Sequence, residues 1–361
     1  MRPRVVIVVL SLLLGALPAA AEELAASGED LVYTGAYSDD WVAAGDLGRL
    51  SQIGNPLTFG GTFHHPGEGH QNTYWILEQV WQAGATPVAN LEIFATSYEI
   101  AAGFHDAAIT DWAAGVQQWL AAGEGRSLFL APLVEMNGDW VPWGMDPGNY
   151  QIAFRRIHGM LTELGLDETQ VRWIWGPNSS SSPPFSITDY WPGEDVVDVV
   201  GLSVYNFGGS RGWWDVWPIM DPAMAQLRSI APDTPYLITQ TGTGSIGGDK
   251  NGWIMDLFDY AAADPNLVGL VYFNFDKESD WKVWDERGVA WGWLAANTDA
   301  RVGYQFPLTD WFQPGPIPFA PTPEQVDRQP EGPSVMPSFE GGQFEHLPSA
   351  RHVRPTKARP E

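Results

Sequence analysis

The segment Phe129–Gly144, which reads FLAPLVEMNGDWVPWG, holds the residues of this chain that are best suited to chemistry. One carboxylate, Glu135, stands at the abrupt end of an apolar run. A rim of amide, acid and indole groups follows it at once: Asn137, Asp139, Trp140 and Trp143. A single acid beside flat aromatic faces is typical of glycosidic-bond chemistry, because the acid protonates the leaving oxygen while the apolar faces hold the sugar ring. The segment therefore predicts a carbohydrate site with Glu135 as the general acid.

A second apolar run, PYLITQTGTG at Pro235–Gly244, carries Gln240 where its strand is expected to end. Strands four and seven of a closed barrel face each other across its mouth, so Gln240 is expected opposite Glu135. Retaining glycosidases place a second carboxyl group about 5–5.5 Å from the acid, and that group acts as the nucleophile. An amide has the shape of a glutamate side chain but no charge, so it cannot form the usual glycosyl ester.

Four interpretations of Gln240 remain open. Glu135 could act with another carboxylate that holds an attacking water, at a carboxyl separation of about 6.5–9.5 Å. The candidates for that second carboxylate are Glu92, Asp139, Asp276 and Glu278. Gln240 could instead be an engineered substitution that traps a substrate, or the mark of a sugar-binding pseudoenzyme that kept the cleft. Finally, Gln240 could pack the barrel mouth while the active carboxylates lie elsewhere.

The composition excludes several other functions. With 361 residues, 44% of them hydrophobic, the chain can bury a sizeable core. A net charge of −25 disfavours nucleic acid and anionic membranes as partners and favours neutral or cationic ligands. The absence of cysteine excludes disulfides and thiol catalysis. The grouping His64, His65 and His70 has no accompanying ligand pattern, so we expect neither a metal site nor a cofactor.

Short apolar runs alternate with longer amphipathic stretches from about Leu31 to Leu308, which predicts an α/β fold, a (β/α)8 TIM barrel. The eight predicted strands are Leu31–Ala36, Pro56–Phe63, Thr86–Leu91, Ser127–Val134, Val171–Gly176, Val196–Val204, Pro235–Thr239 and Val268–Phe275. Asp221 and Pro222 read as the cap and first residue of a helix. In this fold the chemistry lies at the carboxyl ends of the strands. Those ends carry Glu92, Glu135, Asn178, Tyr205, Gln240, Asp276 and Trp281.

Both termini differ from the central region. Residues 1–21 read as a signal peptide, with Arg2 and Arg4 before an apolar run and small residues at Ala19–Ala21. A retained membrane anchor is the alternative, although the run is shorter than the roughly 20 residues that span a bilayer. Residues 22–313 are expected to form the catalytic domain, and the Pro-rich residues 314–361 a disordered tail. We therefore expect a secreted or periplasmic protein, monomeric and without a membrane span once mature.

Four segments resemble glycoside hydrolase family 26, the secreted β-mannanases and related β-glycanases with a (β/α)8 barrel. They are VEMNGDWVPWG around Glu135, VRWIWGPN at Val171–Asn178, VDVVGLSVYN at Val197–Asn206 and GLVYFNFDKESDW at Gly269–Trp281. The resemblance implies hydrolysis of a β-linked polysaccharide such as β-mannan or β-glucan, with Glu135 as acid/base and Gln240 at the nucleophile position. The family's Arg and His ahead of the acid are replaced by Ala131 and Val134.

The resemblance also implies that Trp143, Tyr205 and Trp281 line the subsite at the cleaved bond. The full set expected to contact the substrate is Asn137, Trp140, Trp143, Asn178, Tyr205, Trp281, Glu92 and Asp276. The cluster Trp213, Trp214 and Trp217 could form a further wall of the cleft, or it could pack a loop.

Overall fold

The structure is a computed structural model that describes residues 31–38, 46–285, 288–304 and 307–312. The predicted signal peptide, 1–21, and the predicted tail, 314–361, lie outside these residues and stay predictions. In the part of the chain that is described, no helix is both long and apolar enough to cross a membrane.

Eight parallel strands close into a barrel. They are β1 (Val32–Ser38), β2 (Phe59–His64), β3 (Thr86–Leu91), β4 (Leu128–Pro132), β5 (Val171–Trp175), β6 (Val199–Asn206), β7 (Tyr236–Thr243) and β8 (Leu267–Asn274). Each strand pairs in parallel with the next, and β1 pairs with both β2 and β8, which closes the sheet. The predicted (β/α)8 barrel and its eight strands are confirmed, with shifts of a few residues at most ends.

The remaining elements surround the barrel. The helices are α1 (Asp46–Leu50), α2 (His70–Gln82), α3 (Ser97–Ala101), α4 (Asp106–Ala121), α5 (Pro147–Glu163), α6 (Val216–Ile230), α7 (Lys250–Ala262), α8 (Trp291–Asn297) and α9 (Leu308–Trp311). Three short strands, β9 (Trp284–Asp285), β10 (Gly288–Val289) and β11 (Val302–Gly303), complete the described sheets, and β11 pairs with β1.

The predicted helix start at Asp221 and Pro222 is wrong. Helix α6 begins at Val216, after Asp215 as its N-terminal flanking residue, and Pro222 lies inside it. The buried face of the helix, which includes Met220 and Met224, packs against the core and outweighs the local signal. Asp221 serves a tertiary contact instead, since its carboxylate accepts a hydrogen bond from the Tyr260 hydroxyl at 3.0 Å.

Each of the eight strands sends at least one apolar side chain into the barrel interior. The set is Tyr37, Phe59, Val88, Phe129, Ile174, Val199, Leu237 and Val271. A larger apolar layer fills the space between the outside of the barrel and the helices. The barrel interior is therefore filled by apolar side chains, as expected of a TIM barrel, and the candidate site lies at the rim.

Tyr37 supports that rim from below. Its ring lies over Gly61 of β2, where an added Cβ would stand 2.4 Å from the ring, and its hydroxyl accepts a hydrogen bond from Asn90 at 2.7 Å. Burial holds the pKa of the Tyr37 hydroxyl well above its usual range, so the group stays neutral beneath the rim.

We expect Gly61→Ala to lower the free energy of unfolding by about 1–3 kcal/mol, because the new methyl group would force the Tyr37 ring to move. The control is Gly159→Ala in α5, where an added Cβ meets nothing within 4 Å and the gain in helix propensity stabilises by about 0.5–1 kcal/mol. Urea unfolding measures both variants. Equal stability of the two would contradict the packing of Tyr37 on Gly61.

Candidate active site

The turn after β4 presents Glu135 to the barrel mouth. The strand ends at Pro132, two residues earlier than predicted, because Leu133 takes a left-handed backbone conformation with φ of 53°. Glu135 is left-handed as well, with φ of 60°. Such conformations cost a non-glycine residue about 1–3 kcal/mol and concentrate at functional sites.

Backbone hydrogen bonds to both neighbouring strands hold this turn. The Leu133 amide donates to the Leu91 carbonyl on the β3 side at 3.0 Å. The Glu135 amide donates to the Gly176 carbonyl on the β5 side at 2.8 Å. These two bonds fix the strained backbone, and with it the direction of the Glu135 side chain.

Two side chains hold the Glu135 carboxyl group. The Trp140 indole N–H donates to Oε2 at 2.7 Å, and the Asn178 amide donates to Oε1 at 3.0 Å. Burial is the largest influence on the Glu135 pKa and raises it above the usual value, while the hydrogen bonds from Trp140 and Asn178 oppose the rise. A half-buried carboxyl group that holds its proton more tightly than an exposed one suits a general acid.

Asn137 does not face the ligand as predicted. Its side chain is fully buried, and its amide nitrogen donates to the Asn178 carbonyl, the Ser180 carbonyl and the Ser181 hydroxyl at 2.8, 3.1 and 2.9 Å. Its oxygen accepts from the Asn178 backbone amide at 2.8 Å. All of its hydrogen-bonding capacity is spent within the protein, so Asn137 positions Asn178, which in turn holds Glu135.

A β-bulge in β7 aims Gln240 into the mouth. Gly201 pairs with Leu237 and Ser203 with Gln240, so β7 carries one extra residue at this point; the same irregularity interrupts its pairing with β8. Gln240 therefore lies inside β7, which runs on to Thr243, and does not end the strand as predicted. The Tyr205 hydroxyl donates to the Gln240 carbonyl oxygen at 3.0 Å. Bulges beside active sites commonly re-aim a side chain in this way.

Register places Gln240 close to the acid. Asn178 forms an isolated bridge with Ser203, and Ser203 pairs with Gln240. Gln240 is therefore two strands away from Asn178, which holds Glu135, and neighbouring strands lie about 4.8 Å apart. Glu135 also contributes to the raised pKa of Tyr205, whose largest cause is burial. The structure thus brings Glu135, Asn178, Tyr205 and Gln240 together.

Two of the three tryptophans predicted to contact the sugar are buried. Trp143 is 1% exposed, and its indole N–H donates to the Val134 carbonyl at 2.8 Å. Trp281 is 2% exposed; its ring lies 4.8 Å from that of Tyr205 and packs against Gly242. With both rings covered by protein, they support the site from behind. The half-buried Trp140 and Tyr205 are the predicted aromatic residues that remain accessible beside Glu135.

The four carboxylates considered as partners of Glu135 lie in different surroundings. Glu92 follows β3 and is buried; burial raises its pKa to about 8, Lys277 opposes the rise and Glu135 adds to it. Asp139, Asp276 and Glu278 are exposed. Asp276 lines a separate cavity of about 320 Å³ together with Lys250, Asp280, Lys282 and Trp284. Glu92 is thus the one of the four that is buried in the field of Glu135.

Phe94 was not among the residues predicted from the sequence to contact the substrate. This side chain is 58% exposed, and its ring lies 4.9 Å from that of His65 and 6.1 Å from that of Trp143. It follows the strand-end acid Glu92 by two residues. An aromatic residue just beyond a strand-end acid was the available signal.

The histidine grouping does not converge. His64 is buried and its Nε2 lies 2.9 Å from the Thr62 hydroxyl, while His70 pairs with Asp111 on α4. Burial lowers the pKa of His64 to about 3. Within residues 31–38, 46–285, 288–304 and 307–312, no group of three or more His, Cys, Asp or Glu side chains is arranged to hold a metal ion.

The three tryptophans that follow β6 differ in their exposure to solvent. The ring of Trp213 packs beneath Gly248, whereas Trp214 and Trp217 are exposed at the start of α6. The Trp217 ring lies 5.3 Å from that of Tyr260, so part of its surface packs against α7.

The sequence model of glycosyl hydrolase family 26 matches residues 77–262, more than half of the chain. The chain belongs to glycosyl hydrolase family 26. The match covers the turn with Glu135, the strand with Tyr205 and the bulge with Gln240.

Curated relatives agree with this family. The chain is 29% identical over 172 residues to endoglucanase H of Acetivibrio thermocellus, which covers 44% of this chain and 19% of that protein. It is 31% identical over 191 residues to a mannan endo-1,4-beta-mannosidase of Bacillus subtilis (strain 168), covering 50% of this chain and 44% of that protein. A beta-1,3-xylanase of Alcaligenes sp is 24% identical over 176 residues, covering 44% and 36%. The chain spans less than half the length of these relatives.

Solved structures share the barrel. The catalytic domain of the endo-beta-1,4-mannanase of Bacillus sp. JAMB-750 superposes with a TM-score of 0.60 at 12% identity, covering 82% of this chain and 93% of that one. A double mutant of the endo-beta-1,4-mannanase of Cellulomonas fimi gives 0.59 at 16% identity, covering 79% and 74%. At such identities the likeness shows the fold alone.

The buried Glu92 makes stability depend on pH. Its folded pKa of about 8 lies above the ordinary value of 4.5, so between these values the folded state binds more protons than the unfolded state. The free energy of unfolding therefore falls as the pH rises through this window. Glu92→Gln removes that contribution.

The free energy of unfolding of the wild type should fall as the pH rises from about 5 to about 9. We expect this fall to be smaller in Glu92→Gln by at least about 1 kcal/mol. Urea unfolding at the two pH values provides the measurement. Exposed Glu163 on α5 supplies the control, Glu163→Gln, which should follow the wild type. A pH dependence unchanged by Glu92→Gln would show that Glu92 is not buried as described.

Proposed function

We propose that the protein is a glycoside hydrolase that cleaves O-glycosidic bonds of a β-linked polysaccharide such as β-mannan or β-glucan, with Glu135 as the general acid. The observation that carries the proposal is the position of the Glu135 carboxyl group, which is half-buried at the carboxyl ends of the strands, where its surroundings raise its pKa. Trp140 and Asn178 hold its two oxygens in a fixed orientation. A protonated carboxyl group in that position can give its proton to a leaving glycosidic oxygen.

The relatives support the same class of substrate. The names of the similar proteins describe an endoglucanase, mannan endo-1,4-beta-mannosidases and beta-1,3-xylanases, and the last two kinds of name specify β-linkages. The net charge of −25 is compatible with an uncharged polysaccharide and disfavours a strongly anionic one. We expect the reaction to need no cofactor, because Glu135 supplies the proton and the solvent supplies the water.

Gln240 restricts the route of hydrolysis. An amide at the position facing the acid cannot form a glycosyl ester, so the two-step retaining route cannot run through residue 240. The route left to Glu135 opposite this amide is direct attack by water from the side opposite the leaving oxygen, with a carboxylate that accepts the proton of the water. Glu92, Asp139, Asp276 and Glu278 remain the carboxylates to test.

The second candidate function is sugar binding without cleavage. The Tyr205 hydroxyl donates to the Gln240 oxygen, so the amide keeps a hydrogen bond that a carboxylate could accept while it lacks the nucleophilic charge. A cleft built around such a residue retains the shape and polar groups that recognise a sugar and loses the group that attacks it.

We further propose that the protein is exported, with residues 1–21 removed as a signal peptide and residues 314–361 forming a tail. A soluble, extended polymer outside the cytoplasm is the substrate expected for such a protein. The monomeric state is part of the same proposal.

Hydrolysis by the wild type is expected to fall by at least about 100-fold in Glu135→Gln, because the variant keeps the shape of the site but has no proton to donate. Release of reducing sugar from β-mannan, β-glucan and xylan is the measurement, with binding to the same polymers recorded in parallel. Glu163→Gln, distant on α5, should retain full activity. Hydrolysis that survives Glu135→Gln would contradict the role of the acid.

The variant Gln240→Glu separates the two candidate functions. A wild type that binds these polymers without cleaving them, together with cleavage by Gln240→Glu, identifies a binding protein that lost its nucleophile. Cleavage by the wild type that yields the inverted anomer, followed by NMR during the reaction, supports a hydrolase that works with the amide in place.

A further inference from the structure

Three large aromatic side chains stand in solvent on the segment that follows β3. Phe94, Tyr98 and Phe104 are 58%, 59% and 69% exposed. We call these three residues the aromatic strip. Aromatic side chains this large are usually buried, and clusters left exposed mark places where a ligand or partner binds.

The strip begins at the mouth of the barrel. The Phe94 ring lies 6.1 Å from that of Trp143, whose indole N–H bonds to the carbonyl of Val134, the residue before Glu135. From there the strip continues onto α3 with Tyr98 and into the turn after it with Phe104; these two rings lie 6.4 Å apart, edge to face. The strip thus begins beside Trp143, which supports the turn of Glu135, and Tyr98 and Phe104 follow Phe94 along the chain.

The backbone beneath the strip is braced. Thr96 caps α3 through reciprocal hydrogen bonds with Glu99, and the Ser97 hydroxyl donates to the Trp143 carbonyl. After the strip, Asp106 at the start of α4 accepts two hydrogen bonds from the Arg156 guanidinium on α5. Rings held on a rigid segment lose little freedom when a ligand binds, which favours a binding role.

The surroundings select an uncharged polymer. Residues 92–106 contain acidic Glu92, Glu99 and Asp106 and no lysine or arginine, and the neighbouring Arg156 is paired with Asp106, so the segment offers little to attract a phosphate or carboxylate chain. Small and polar residues separate the rings, whereas a stable protein interface needs a contiguous patch of about 800 Å² on each partner. Separate flat rings suit the apolar faces of successive sugar units.

We propose that the aromatic strip of Phe94, Tyr98 and Phe104 is a second binding surface for an uncharged β-linked glycan, which holds the polymer beyond the site of Glu135. The inference rests on the proposed carbohydrate function, and it adds a place where chain length is sensed. A long polymer reaches both the site and the strip, while a short oligosaccharide occupies the site alone.

The test compares Phe94→Ala/Tyr98→Ala/Phe104→Ala with the unaltered strip, both in full-length protein carrying Glu135→Gln to prevent turnover. Affinities for soluble β-mannan, mixed-linkage β-glucan and their short oligosaccharides are measured by calorimetry. We expect polymer binding to weaken by at least about ten-fold and oligosaccharide binding to stay unchanged. Trp291→Ala, which removes an aromatic ring that is equally exposed at 58%, is the control and should change neither.

Each other outcome overturns the proposal. Equal polymer binding with and without the strip would leave the proposed function intact and remove the strip from it. Equal loss of polymer and oligosaccharide binding would make the strip part of the main site. Absence of any glycan binding or cleavage by the wild type would defeat the proposed function itself. Dissociation of a wild-type dimer by the triple substitution, seen in sedimentation, would identify a contact between copies of this chain.

Discussion

The chemistry proposed for this barrel depends on partial burial of one carboxyl group, that of Glu135. An exposed glutamate has lost its proton at neutral pH and cannot act as an acid, so Glu135 needs burial to raise its pKa. Burial without partners would make the carboxyl group too costly, and the hydrogen bonds from Trp140 and Asn178 limit that cost. The turn that carries Glu135 is strained, and the bonds from its backbone to β3 and β5 hold it in place. The local fold therefore holds one acid half-buried, in a fixed orientation and with hydrogen-bond partners for both oxygens.

Gln240 changes the electrostatics of the mouth as well as its chemistry. In a site with two carboxylates, the charge on the nucleophile helps to keep the acid protonated, because like charges disfavour each other. With an amide at position 240, that contribution is absent, and burial becomes the main cause of the raised Glu135 pKa. Buried Glu92 stands in the same field, and Glu135 contributes to its raised pKa. The two carboxyl groups that interact here, those of Glu92 and Glu135, follow the neighbouring strands β3 and β4.

The barrel and the position of Glu135 at its rim could be predicted from the sequence for physical reasons. Apolar runs such as Val171–Trp175 have the length and spacing of buried parallel strands, and Glu135 interrupts such a run with a charge that must have a purpose. Side-chain direction was not accessible in the same way. The β7 bulge that aims Gln240 inward depends on pairing with two other strands, and no local pattern encodes it.

The tryptophans show the same limit. Trp143 and Trp281 have the residue type and position expected of sugar platforms, yet both are covered by neighbouring side chains. Burial is a property of the assembled rim, whereas residue type is a property of the chain. Phe94 follows the strand-end acid Glu92 in sequence, but the assembled structure is what shows that its ring is 58% exposed.

The most direct measurement is the pKa of the Glu135 carboxyl group itself. Carbon-13 NMR of the glutamate carboxyls, titrated with pH and assigned by the signal missing from Glu135→Gln, reports it without any assumption about substrate. A half-buried acid held by Trp140 and Asn178 should titrate above the ordinary value of 4.5. A value at or below 4.5 would mean that Glu135 is ionised whenever the protein is near neutral pH, which contradicts its role as the general acid.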